Sequence, residues 1–423
     1  MVDYDVITIG GGPGGAAAST LLAQRGYRVL LLERSHTPRF KIGESLMPAT
    51  YGTLQRMGVL PLLKASHFPR KYSVQFFNRM GKASAPFYFM ETDPHERSRT
   101  WQVLRSEFDA MLLDNAREHG VEVRRGAVVK DVLFEGERAV GVVVAADHSE
   151  HRLRCRVVVD ASGQSALIAK KLGLRRPDPE LKKASYFSHF QGALRDPGLD
   201  EGATLVLHTE EAKSWFWYIP LPDDRVSVGV VGSLDYLMAG RAADPQQVFD
   251  EEVERCPALK PRLANATQVF PVQAIRDFSY RSSRIAGDGW VLVGDAFGFL
   301  DPIYSSGVFL ALKSGELAAD SIHAALAEGD PSAARLGEHG PRFAAGMEAM
   351  RKLVYAFYEQ DFSFAKFLAR FPEQRLNIIH LLTGNVFVDT DGLFAAMGQM
   401  VRLPLEAPPL PDAELAALPG AGQ

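Results

Sequence analysis

The chain opens on a short unbroken apolar run, residues 5–9, which predicts a buried strand. A glycine-rich turn, GGGPGG, follows. Next come the small-residue helical stretch AAASTLLAQRG and a second apolar run, VLLLE, ending at Glu33. The pattern predicts strand, turn, helix, strand. A helix is expected to run up to Met57, and residues 71–90 read as paired, aromatic-rich strands. RSEFDAMLLDNAREHG is amphipathic, with Phe108, Met111, Leu112 and Ala116 on one face and Gly120 as its stop. Short alternating runs from Val121 predict a β-meander, with turns at Gly136–Glu137 and Asp147–His148, before the buried run RVVVD ending at Asp160. Residues 184–279 read as strands with a single helix at 245–264. A buried strand at 290–296 leads into a long helix at 307–327, and 342–403 is helical and aromatic.

The whole predicts an α/β fold with scattered parts. A discontinuous Rossmann-like unit draws on 1–70, 100–182 and 280–330. A β-rich unit draws on 71–99 and 183–279. A helical segment covers 331–403, and 404–423 is a loosely ordered, Pro/Ala-rich tail. Composition narrows the function classes. The chain has 423 residues, formal net charge −4, 46% hydrophobic and 23% charged residues, which is ordinary globular usage. A slightly acidic chain is a poor nucleic-acid binder, because phosphate binding needs a basic face. Two distant cysteines, Cys155 and Cys256, make neither a disulfide scaffold nor a zinc site and fit a reducing cytoplasm. The acidic start predicts no signal peptide, and no run is long and apolar enough to predict a membrane span. No histidine or carboxylate spacing suggests a metal: His148 and His151 read as solvated, while His189 and His208 read as core or pocket residues.

Gly10-x-Gly12-x-x-Gly15 lies after a strand and before a helix, with Pro13 and Gly14 between. This is the dinucleotide fingerprint. Gly10 allows the tight turn, Gly12 lets backbone approach a pyrophosphate, and Gly15 lets helix pack on strand. The helix N-terminus offers free N–H groups to phosphate, and Glu33 is placed to accept a ribose diol. Arg105 at a helix start, Asp160-Ala161-Ser162-Gly163 after a strand and Gly294-Asp295-Ala296 before a helix add distant contacts. Only a cofactor much longer than a mononucleotide would need them.

This set resembles the FAD-dependent monooxygenase superfamily of the hydroxybenzoate-hydroxylase type over about residues 1–330. The resemblance implies FAD, with Glu33 on ribose, Arg105 by the pyrophosphate, Val129 at the adenine through its backbone, and Asp295 on the ribityl chain. Arg34, Gly43, Glu44, Ser45, Asp160, Gly163, Gly294 and Pro302 complete the implied cofactor set.

Two strings and a lysine point further. Trp215-Phe216-Trp217-Tyr218-Ile219-Pro220 resembles the W-x-W-x-I-P signature of flavin-dependent halogenases. On a strand both indoles share a face, where the family uses them as a wall between flavin and organic substrate. Lys71, after Gly43-Glu44-Ser45, matches the segment of the halogenases' essential lysine; Lys82 is a second candidate. A buried lysine can lose its proton and expose a lone pair, which arginine cannot. The resemblance implies that reduced FAD, O2 and halide give hypohalous acid, which the lysine holds as a haloamine or by hydrogen bond. Glycine commonly stands two residues after that lysine in the family; here it is Ser73. Phe299-Leu300-Asp301-Pro302-Ile303-Tyr304-Ser305-Ser306-Gly307 resembles the F-x-x-P-x-x-S-x-G motif, in which Ser305, Ser306 and Gly307 would hold halide at a helix start. Related hydroxylases and prenyl reductases share that element, so a hydroxylase and a geranylgeranyl-reductase-like enzyme remain as alternatives. A flavin-binding protein without catalysis is a third. No second nicotinamide fingerprint is present, and a separate flavin reductase is the implied electron source. The helical end is shorter than halogenases usually carry, which suggests an open site for a large or carrier-protein-bound aromatic substrate.

Overall fold

A computed structural model describes residues 2–37, 40–146, 149–241, 244–276, 278–359, 362–408 and 410. The turn at 147–148, His148 among it, and most of the 404–423 tail lie outside them.

Two eight-stranded sheets organise the chain. In the first, Tyr4–Ile9 lies between Val29–Glu33 and Ser149–Asp160, parallel to both. Glu122–Arg125 and Trp290–Leu292 extend it on either side, again in parallel. Strands buried on both faces need apolar runs, which is what VLLLE and RVVVD supply. The helix Pro13–Ala23 covers one face and is almost wholly buried, because its alanines and glycines let it approach the helix Ser306–Glu328 closely.

The meander and the run at 156–160 are not separate elements. Ser149–Asp160 is one strand, whose first half pairs antiparallel with Arg138–Ala146 and whose second half enters the parallel sheet.

The second sheet is antiparallel apart from one pair, Thr204–His208 with Ser73–Phe77. Its centre is Lys183–Gln191, Arg225–Ser233 and Ser214–Pro220. Alternation divides its faces. Phe216, Tyr218, Val228 and Val230 face a core completed by the helix Pro245–Glu254. Trp215, Trp217, Phe187 and Val206 face the main core and the first sheet.

The single helix expected at 245–264 is two, Pro245–Glu254 and Lys260–Leu263. Pro257 explains the break, since it lacks an N–H and disfavours helical geometry at Cys256 before it. The long helix falls where expected, and the C-terminal part forms the helices Gly340–Tyr358, Phe364–Arg370, Arg375–Thr383 and Asp391–Met397. Among the described residues no helix is long and apolar enough to cross a membrane.

Candidate active site

A cavity of about 790 Å³ lies between the two sheets. Its floor is the carboxyl ends of the parallel strands, at Ile9, Leu32, Ala161 and Val293, where an open α/β sheet leaves its ligand crevice. Nearly all the expected cofactor residues line it: Gly10, Gly12, Pro13, Gly14, Gly15, Glu33, Arg34, Gly43, Glu44, Ser45, Arg105, Val129, Gly163, Gly294, Asp295 and Pro302. Gly10 has φ +104°, and a Cβ there would lie 2.4 Å from the carbonyl oxygen of Ala161. Nothing lies within 4 Å of a Cβ built on Gly12, so the turn opens onto free space at the helix start. This cradle fits a pyrophosphate.

Glu33 accepts hydrogen bonds from the backbone N–H of Gly11 and of Ser35, each at 2.8 Å. They fix the carboxylate at the cavity wall, where it retains acceptor capacity for a diol. Arg105 reaches the cavity but is engaged: Nε and Nη2 donate to Asp109 at 2.9 and 3.0 Å, and Nη1 donates to the carbonyl of Ile42 at 2.5 Å. It therefore secures the 42–45 loop as well as placing positive charge beside the cavity. Asp295 stands on the floor, and burial pushes its carboxyl up to about 6 while Arg105 and Lys41 pull it down.

Asp160 differs from the expectation. It does not line the cavity, and its carboxylate accepts from the N–H groups of Ser162 and Ile168 at 3.0 and 2.7 Å, which shapes the turn after the strand. Ser305 and Gly307 line the cavity, whereas Ser306, the first residue of the long helix, is turned into the core. Ser305 holds φ +57°, which bends the chain into that helix and aims its N-terminus towards the cavity.

On the facing sheet Trp217 lines the cavity and Trp215 lies beside it, their ring centroids 6.5 Å apart. Trp217 lies across Gly229, where a Cβ would meet its ring at 2.2 Å, and its Nε1 donates to Ser227 Oγ at 3.1 Å. Trp215 donates through Nε1 to Tyr358 Oη at 3.1 Å.

Lys71 does not line this cavity but lies just behind its wall, 3% exposed. The strand Arg70–Lys71 pairs with Thr100–Trp101 and points the amine inward. Nζ donates to Ser45 Oγ at 2.9 Å and to the carbonyl of Leu46 at 3.3 Å. Ser45 Oγ also meets Thr204 Oγ1 at 2.8 Å, and both residues line the cavity. Among the described residues the amine has neutral partners only, and burial lowers its pKa to about 7. Lys82, the alternative, is exposed on a turn. Ser73, at the family's glycine position, is fully buried and donates to Asp200 at 3.2 Å, a fit that explains the hydroxyl.

A family model described as an FAD binding domain matches residues 3–336. The chain is 34% identical over 392 residues, 92% of its length and 93% of the relative's, to a 1H-pyrrole-2-carbonyl-[peptidyl-carrier protein] brominase of Pseudoalteromonas luteoviolacea. It is 31% identical over 405 residues, 91% and 90% of the two lengths, to the corresponding chlorinase of Pseudomonas fluorescens. The solved structure of the flavin-dependent brominase Bmp2 superposes with a TM-score of 0.85 at 32% identity, covering 94% of this chain and 98% of that one. The chain belongs to the flavin-dependent halogenases. It is therefore an FAD-dependent enzyme of the oxidoreductase type, as the motifs implied.

Several features of this halogenase-family site escaped the sequence. Lys41 adds a cation to the cavity and sits 3.4 Å from Asp109; its place two residues before Gly43 was the only signal. Glu44, expected in the cofactor set, and His189, expected in core or pocket, approach each other to 2.8 Å inside the wall, a pairing that no spacing marked. Gln273 and Ser185 line the cavity from neighbouring strands, and no motif marks them. Tyr358, Asp301 and Lys183 gather behind Trp215. Among the described residues no group of His, Cys, Asp or Glu is placed to hold a metal ion.

Proposed function

We propose that this chain halogenates an electron-rich aromatic ring carried on a carrier protein, and that Lys71 delivers the halogen. The observation that carries the reading is a buried amine with neutral partners only, one serine away from a dinucleotide-shaped cavity. Gly10–Gly15, Glu33, Arg105 and Asp295 would hold FAD. Bound in its reduced form, FAD would supply two of the four electrons that reduce O2, and halide would supply the other two as it is oxidised to hypohalous acid.

The chain's own residues then have separate tasks. The N–H groups at 305–307, opening a helix beside the cavity, would hold halide through their dipoles. Trp217 walls the cavity from the substrate side, so that only a small oxidised species passes. Ser45 and Thr204 hydroxyls bridge the wall to Lys71, whose amine would take up the halogen by an N–halogen bond or hold the acid by hydrogen bond. Electrons would come from a separate flavin reductase in the cytoplasm, where the buried free thiols of Cys155 and Cys256 stay reduced.

Similarity supports the carrier-bound substrate. The match runs over 93% and 90% of the two relatives named for a pyrrole-carbonyl carrier protein, at 34% and 31% identity, and over 61% of a tryptophan 2-halogenase of Chondromyces crocatus.

The test supplies NADH, a flavin reductase, FAD and bromide or chloride, with pyrrolyl or phenolic acyl groups on a phosphopantetheine carrier protein, and reads mass shifts. Lys71→Ala and Lys71→Arg should each lower halogenation at least 100-fold with FAD affinity unchanged. Undiminished product in Lys71→Ala would falsify the delivery role, and halide-independent oxygen insertion by the wild type would favour a hydroxylase.

A further inference from the structure

Behind Trp215 lies a buried cluster that the reaction as described leaves unused. Tyr358, at the last turn of the helix Gly340–Tyr358, donates its hydroxyl hydrogen to Asp301 at 2.9 Å and accepts one from Trp215 Nε1 at 3.1 Å. Asp301 opens the 301–305 loop beside the cavity and also accepts from the N–H of Ile303 at 3.0 Å. Lys183, on the sheet strand, places Nζ 3.4 Å from the centroid of the Tyr358 ring. Lys183 is almost buried and Asp301 wholly so. Burial pushes the Asp301 carboxyl up to about 6 and the Lys183 amine down, and each charge opposes the other's shift. Tyr304, on the same loop, donates its hydroxyl hydrogen to the carbonyl of Leu353 in the C-terminal helix at 3.2 Å.

One hydrogen-bonded chain thus ties three distant parts together: the tryptophan wall, the loop at the start of the long helix and the C-terminal helical segment. The geometry points to Lys183, Asp301 and Tyr358 as one positioning unit that fixes the 301–305 loop and the tilt of Trp215, so that oxidised halide is directed to Lys71 instead of escaping. The task it assigns rests on the halogenase reading above; the linkage itself does not. Two opposite charges buried around one tyrosine ring are costly to assemble, and a hydrophobic trio would pack as well, so their presence between loop and wall calls for a role in orientation.

Tyr358→Phe keeps the ring over Lys183 and removes both hydrogen bonds. Expected is a fall of at least fivefold in halogenated product per flavin oxidised, with a matching rise in hydrogen peroxide and FAD affinity within twofold. Asp301→Asn removes the buried negative charge that offsets the Lys183 cation and should fall further, whereas Lys183→Met combined with Asp301→Asn should lie closer to wild type than Asp301→Asn alone. The second readout needs no cofactor: the Trp215 emission of the apoprotein, taken as wild type minus Trp215→Phe, should shift in Tyr358→Phe. Asp301→Asn provides the same readout should Tyr358→Phe fail to fold. A product-to-peroxide ratio within twofold of wild type in Tyr358→Phe, strictly additive charge variants, or unaltered Trp215 emission would each overturn the unit. A wild type that releases only peroxide would sink the halogenase reading, and the emission shift alone would then decide the linkage.

Discussion

A lysine amine is no use as a nucleophile while it carries its proton, and at Lys71 the surroundings remove the proton without a neighbouring charge. Serine and carbonyl oxygens accept from it, and burial disfavours the ammonium, so its pKa drops from the usual 10.5 to about 7. Two consequences follow from the sign of the shift. Half the amine is free near pH 7, so halogenation should show an acid limb there, read by product formation at saturating halide. The same shift makes Lys71 a stability cost. Between about pH 7 and 10.5 the unfolded chain binds a proton that the folded chain does not, so stability at this site falls as pH drops through that window and levels off below it. Lys71→Met should therefore stabilise the protein, and by roughly 2–3 kcal/mol more at pH 6 than at pH 9, at about 1.4 kcal/mol per pKa unit. Urea denaturation at both values checks it; an equal gain at the two would mean that the amine is not desolvated in the fold.

At the scale of the element, the second sheet shows how far pattern carries and where it stops. Two indoles two residues apart on a strand must share a face, so the wall was legible in Trp215 and Trp217 alone. The space for it was not: Gly229, on the neighbouring strand, leaves room for the Trp217 ring, and only cross-strand register reveals that pairing. Gly229→Val would drive a side chain into that ring. It should cost about 1–3 kcal/mol by overpacking and reduce FAD affinity, because Trp217 would be displaced into the cavity; a thermal melt and a flavin titration would test both. The glycine fingerprint was legible for the same reason as the indoles, since all its parts lie within one strand–turn–helix unit. Asp160 sits off the cavity lining because a carboxylate after a strand can bind a ligand or its own turn, and sequence does not say which N–H groups are nearer. The apolar period expected as one helix at 245–264 spans Pro257, whose missing N–H divides it into two. Lys183, Asp301 and Tyr358 are hidden for a different reason: more than 50 residues separate each from the next along the chain, and no local period links them.

At the scale of the whole molecule, the cavity is the joint. Its lining runs from Ile9 to Ala311 and draws on both sheets, so the strands that would bind FAD and the strands that carry the tryptophans meet there and at the adjoining core. A ligand that bridges such a joint binds the folded chain and not the unfolded one, so it stabilises by mass action, by about 2.7 kcal/mol at one hundred times its dissociation constant. Because its contacts come from both sheets, the gain should appear as a shift of one cooperative transition rather than of one part alone. Differential scanning calorimetry with increasing FAD tests this: one transition should move upward, with the shift growing by about 1.4 kcal/mol for each further tenfold in free FAD. Gly10→Val, which forces a side chain onto the Ala161 carbonyl in the cradle, should abolish the FAD-dependent shift. Trp217→Phe should retain most of it, since that position supplies only one wall. A cofactor-dependent shift confined to one of two separable transitions would mean that the sheets fold independently and that the tryptophan wall is not held by the flavin side.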